Sequence, residues 1–91
     1  MTHQELADFL RSTVPAHVEV VLGEDEMLCA DDHSNDSQAY IKYKGGLDFS
    51  LQGVRHGEKS DTKSYSFRNE HEMISILGGK VLELLDGERR I

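Results

Sequence analysis

Apolar residues recur at helical spacing between residues 69 and 85: Met73, Ile74, Leu77, Val81, Leu82, Leu84 and Leu85 fall on one half of the wheel, with Glu72, Ser75, Lys80, Glu83 and Asp86 on the other. A surface helix needs an apolar stripe only a little wider than roughly 100°, so this wider one predicts a helix lying in a groove between two neighbours. Asn69, with Glu72 three residues on, is an N-x-x-E form of the capping box, and Gly87 followed by Arg89 and Arg90 marks the far end. A second capping box, Thr2-His3-Gln4-Glu5, opens a shorter helix with Leu6, Phe9, Leu10 and Val14 on its apolar side. Pro15 stops it, because it lacks an amide hydrogen and forces Val14 into extended geometry.

Between the helices the period changes to two. Val18, Val20 and Leu22 alternate with His17, Glu19 and Val21, Gly23 to Glu26 reads as a turn, and Met27 to Ala30 as a return strand. Asp31 to Ser37 has no apolar residue and is expected to be an exposed loop. Ala39, Ile41 and Tyr43 then alternate with Tyr40, Lys42 and Lys44, and Leu47, Phe49 and Leu51 with Asp48, Ser50 and Gln52. Gly45-Gly46 between these runs predicts a tight hairpin with positive φ. Gly53 to Asp61 reads as a polar, mobile connection, and Thr62 to Phe67 as a further strand with Tyr65 and Phe67 facing the core.

Strands joined this closely must pair mostly antiparallel, since parallel pairs need long crossovers. The expectation is a single α+β domain over residues 1–91: a two-layer sandwich in the order α-β-β-β-β-β-α, with about four to five strands, an N-terminal and a C-terminal helix on one face, and the other face open to water. Gly78, on the flank of the long helix's apolar arc, implies close approach to the sheet or to the first helix, with a kink at Gly78-Gly79 as the competing account.

Charge narrows the choice of partner. The formal net charge is −7. No Lys or Arg stands between Arg11 and Lys42, an interval holding Glu19, Glu24, Asp25, Glu26, Asp31, Asp32 and Asp36. The remaining acids are matched by the 10 Lys and Arg, so that interval carries the whole excess. Phosphate backbones reward clustered cations, so nucleic acid is not an expected direct ligand and a basic protein is. A single cysteine, Cys29 in an apolar run, excludes an intrachain disulfide and a cysteine metal site, and fits a reducing cytoplasm. No signal-peptide pattern opens the sequence and no apolar run is long enough to span a membrane, which predicts a soluble protein.

The chemical motifs fall short. His71-Glu72 starts like a zinc-protease motif, but Ser75 stands where its second histidine belongs. Asp31 to Asp36 lacks the alternating ligands, central glycine and distal glutamate of a calcium loop and reads as solvated. Gly53-x-x-x-Gly57-x-Lys59-Ser60 is one residue short of a P-loop and precedes a strand-like run where that motif needs a helix. His3, His17, His33, His56 and His71 are scattered without ligand spacing, and no Ser-His-acid or Cys-His arrangement is identifiable. No catalytic residue, metal or cofactor is assigned.

In composition the chain is similar to small acidic inhibitors, including bacterial immunity proteins and phage anti-restriction or anti-CRISPR proteins, which occlude basic nucleic-acid-binding surfaces. That similarity carries over no residue. The functional expectation is a non-enzymatic protein-interaction module that docks Glu19, Glu24, Asp25, Glu26, Asp31, Asp32 and Asp36 on a basic partner and inhibits or regulates it. Tyr40 on the open sheet face and Ile76 on the polar side of the long helix are secondary surface candidates, Ile76 also for a homodimer contact. The alternative is a small-anion binder or enzyme using the open face and the Arg55-His56 loop.

Overall fold

The computed structural model describes residues 1–86 as α1 (His3–Thr13), β1 (Val18–Leu22), β2 (Met27–Asp32), β3 (Ser37–Tyr43), β4 (Asp48–Arg55), β5 (Glu58–Lys59), β6 (Lys63–Ser66) and α2 (Glu70–Asp86). The element order and the α+β architecture are those expected from the hydrophobic pattern, with one two-residue strand added. All pairings are antiparallel, in the order β1-β2-β3-β4, and both β5 and β6 add to the free side of β4.

Each helix begins as its sequence dictates. The Thr2 hydroxyl accepts from the Glu5 amide while the Glu5 carboxylate accepts from the Thr2 amide, a complete capping box. At α2, Asn69 Oδ1 accepts from the Glu72 amide at 2.8 Å, but the Glu72 carboxylate reaches back to the amide of Arg68, one residue before the cap. The expected closure by Gly87, Arg89 and Arg90 lies outside the described residues. What the structure shows at that end is the Leu85 carbonyl accepting three side-chain donors, Asn35 Nδ2 at 2.9 Å, Ser37 Oγ at 2.8 Å and Arg55 Nη2 at 2.8 Å.

One face of the sheet and both helices enclose the core. Leu6 and Leu10 of α1, Met73, Leu77 and Val81 of α2, and Leu28, Ala30, Ala39 and Ile41 of the sheet are all 0% exposed. Burying a large aliphatic side chain contributes about 1.5–3 kcal/mol, so this layer dominates stability. α1 lies over β1 and β2, and α2 over β2, β3 and β4. Glycine sets how close α2 comes. A Cβ on Gly53 would stand 2.8 Å from Leu84 Cδ2, and one on Gly78 would stand 3.3 Å from Thr13 Cγ2 and 3.4 Å from Phe9 Cζ. Gly78 therefore marks the contact with the first helix, and α2 runs unbroken through it.

Three connections differ from expectation. The segment Asp31 to Ser37 is not wholly loop: β2 continues through Asp32 and β3 starts at Ser37, with both side chains buried. Ladder pairing does not depend on side-chain polarity, and each inward polar group here has a partner. Gly45-Gly46 is not a two-residue turn. The last rung is Tyr43↔Phe49, only Gly45 has positive φ (93°), and Leu47 is left 40% exposed. The buried Tyr43 explains the wider connection, since its hydroxyl donates to the Gly46 carbonyl at 2.9 Å and draws the loop over the ring. The next connection, between β4 and β5, is a tight turn at His56-Gly57, with φ of 52° and 82°, the positive pair of a type I′ hairpin, so Gly53 to Asp61 carries the end of β4 and all of β5.

Two outcomes follow from these glycines. Gly79 faces open space, so Gly79→Ala should raise stability by about 0.5–1 kcal/mol, while Gly78→Ala gains less because Thr13 and Phe9 must give way. Equal urea midpoints for the two variants would mean that α1 does not press on Gly78. Gly45→Ala should cost about 1–2 kcal/mol at its positive φ, and Gly46→Ala should stay within about 0.5 kcal/mol; thermal melts that rank them the other way would contradict this connection.

Candidate protein-docking surface

The residues of the acidic interval lie on the β1–β2 hairpin, which forms one edge of the sheet, and on the turn that follows it. Glu24, Asp25 and Glu26 form the hairpin's tip. Asp25 and Glu26 hold φ of 57° and 66°, and the Met27 amide donates to the Glu24 carbonyl, a turn of the type I′ pattern built without glycine at its centre. Glu19 and Asp31 are paired across the strands nearer the other end, and Asp36 lies in the β2–β3 turn. A five-residue strand is about 16 Å long, so the acids form a ridge along the hairpin with a tip and a base.

At the base, three carboxylates point in three directions. Asp31 turns to the open sheet face, accepting from Gln38 Nε2 at 3.0 Å, and His33 Nε2 lies 3.5 Å from it and 3.3 Å from Glu19. Asp36 faces His56 Nδ1 at 3.4 Å. Asp32, 8% exposed, points toward the helices and accepts from the Ser34 hydroxyl at 2.7 Å and the Ser34 amide at 3.1 Å, with His17 Nε2 at 3.3 Å. These bonds, the Ser34 hydroxyl first and His17 after it, hold the Asp32 carboxyl below the ordinary carboxylate range against the opposing effect of burial. Carboxylates that diverge do not converge on a cation, and among the described residues no three His, Cys, Asp or Glu side chains are grouped to hold a metal ion.

Ser34, Asp32 and His17 are the residue types of a hydrolytic triad, brought together from three places in the chain. Their order is wrong for one. Nucleophile activation needs a histidine accepting the serine proton and a carboxylate behind it, whereas here both the Ser34 hydroxyl and His17 address the same Oδ1 of Asp32. The cluster clasps the β2–β3 turn. Cys29 is no better nucleophile: burial, then Asp31, pushes its thiol pKa up and keeps it protonated at neutral pH.

The other candidates are placed as follows. Arg55 donates to the Leu85 carbonyl, where its charge also complements the helix dipole, and His56 faces Asp36, so neither side chain is presented as a free anion-binding group. Tyr40 lies half-buried on the open face opposite Cys29. Ile76 is 40% exposed and borders a shallow hollow with Phe67, Arg68 and Glu72. Beside it, a cleft of about 350 Å³ between α2 and β6 is floored by Leu51, Tyr65 and Leu84 and walled by Lys63, Lys80, Asp61 and Glu83. Its paired opposite charges favour neither sign of ligand.

The histidine contacts and the exposed Val21, 44% accessible beside Cys29 on the open face, were not singled out by sequence reasoning. Spacing could not show the first. The apolar triplet Val20-Val21-Leu22, which breaks strict alternation, is the signal for the second. No protein-family model matches the chain, and no curated protein or solved structure matches it.

Asp32 yields a pH prediction. A carboxyl whose folded pKa is lowered contributes stability that is present above the unfolded value of about 3.9 and is lost as pH falls through the folded value. Asp32→Ala should therefore cost about 1–3 kcal/mol at pH 7, from the charge-assisted bonds to Ser34 and His17 that it removes, and progressively less below about pH 4. Denaturant titrations across pH test this; a deficit unchanged at the acid end would remove Asp32 as the titrating clasp.

Proposed function

We propose that the protein is a non-enzymatic binding module that docks the acidic β1–β2 hairpin on a basic surface of another protein and, by covering that surface, inhibits or regulates it. The observation that carries this reading is the exposed ridge of Glu19, Glu24, Asp25 and Glu26 on an edge hairpin whose sequence contains no Lys or Arg, continued by exposed Asp36 in the turn that follows it. Asp31 adds to it, half-buried, while Asp32 belongs to the turn clasp and contributes field more than contact.

The hairpin also suits a rigid recognition element. Its outer edge is fastened to α1 by Arg11, whose Nη2 donates to the Val20 carbonyl at 3.0 Å while Nη1 meets Asp8 at 3.1 Å. That side chain takes up an edge acceptor which would otherwise invite strand pairing. Charge complementarity of this kind mainly raises the association rate and makes it salt-dependent, with apolar contacts supplying the bulk of the affinity.

Affinity capture from the native host identifies the partner, and association kinetics then test the surface. Changing Glu19, Glu24, Asp25 and Asp31 to Gln or Asn should slow association at least about tenfold at low salt and flatten its salt dependence. Neutralising Glu58, Asp61, Glu70 and Glu83 removes the same net charge from other elements and should leave the rate near wild type. Equal rates for the two variants would defeat the docking reading.

A further inference from the structure

The sheet face turned away from the helices has an apolar centre and two charged corners. Val21, Cys29 and Tyr40 form one cross-strand row on β1, β2 and β3, with Met27 and Val54 on the neighbouring rows. Val21 is 44% exposed, and Cys29 and Tyr40 are half-buried, so the patch is continuous and in part wet. On one side of this row lies the Glu19–Asp31 pair, the carboxylates held in place by His33 and Gln38. On the other side, one strand across, Lys42 stands opposite Met27, and Lys44 follows two residues on; both are exposed, and they border a hollow with Asp48 of β4, which leaves that corner net basic.

The two corners lie on a diagonal whose midpoint falls between Cys29 and Tyr40. A two-fold axis in the plane of the face, passing through that midpoint, exchanges them. It lays Lys42 and Lys44 of one copy over Glu19 and Asp31 of the other and stacks the two apolar rows, giving a closed, isologous contact. We infer that the open face is the interface for a second copy of this chain. Its four longest strands span about 20 by 17 Å, on the order of 340 Å² per copy, so the contact is smaller than a standard interface of about 1,600 Å² in total and is of the transient kind. The dimer is accordingly a weak one, specified by charge complementarity more than by area. The inference does not depend on the docking reading. Since Glu19 and Asp31 serve both surfaces, a dimer and a basic partner compete.

Sedimentation of the isolated protein from micromolar to millimolar concentration, at about 0.15 M salt, is the test. A monomer–dimer equilibrium is expected, weakened at least about tenfold by Val21→Asp and by the pair Lys42→Glu and Lys44→Glu. Adding Glu19→Lys and Asp31→Lys to that pair should restore association toward wild type, since the corners are then exchanged. Circular dichroism confirms that each variant is folded. A wild type that stays monomeric to millimolar concentration overturns the inference. So does an unweakened Val21→Asp dimer, or a charge exchange that fails to restore association.

Discussion

Contact between the apolar stripe of α2 and the inner sheet face is the constraint on which the remaining features depend. Met73, Leu77 and Val81 are wholly buried there, and the approach is close enough that a methyl group on Gly53 of β4 would stand 2.8 Å from Leu84 Cδ2, which would have to swing aside. Position and tilt are then locked at the helix's far end, where Asn35, Ser37 and Arg55 converge on the Leu85 carbonyl. A helix leaves its last carbonyls without intrahelical donors, and here the sheet satisfies one of them from one turn and the ends of two strands. The base of the sheet is organised by a helix terminus as much as by its own ladder.

That organisation decides which acidic residues can act. Ser37 turns inward to reach Leu85, and its rung partner Asp32 turns inward with it. Asp32 is then satisfied by Ser34 and His17 and leaves the exposed set. Glu19 and Asp31, one residue away in register, emerge on the opposite face, because a strand alternates strictly between its two sides. The hairpin thus divides its charge between a structural clasp and a surface.

The same alternation produces the open face. Two helices suffice to cover one side of a four-stranded meander, and nothing in the chain through residue 86 covers the other. Its row of Val21, Cys29 and Tyr40 runs between an acidic and a basic corner. A surface with that polarity is complementary to itself when rotated, whereas the hairpin ridge, being of one sign, is complementary only to something else.

Sequence alone determined the helices, because capping boxes and a 3.6-residue period are local and lie within a few residues of one another. It determined the antiparallel α+β class for a similar reason: short connections leave the strands no other way to pair. The confinement of excess charge between Arg11 and Lys42 was equally plain. Tertiary structure decided what depends on register and on partners remote in the chain. Asp32 and Ser37 read as loop because their polarity concealed that Ser34, His17 and the Leu85 carbonyl would satisfy them. Gly45-Gly46 is not a two-residue turn because Tyr43 holds that connection through Gly46, and a glycine pair says only that positive φ is cheap, not that it is used. Whether a given acid faces the partner, the open sheet or the core is a question of rung parity, and no residue type encodes it.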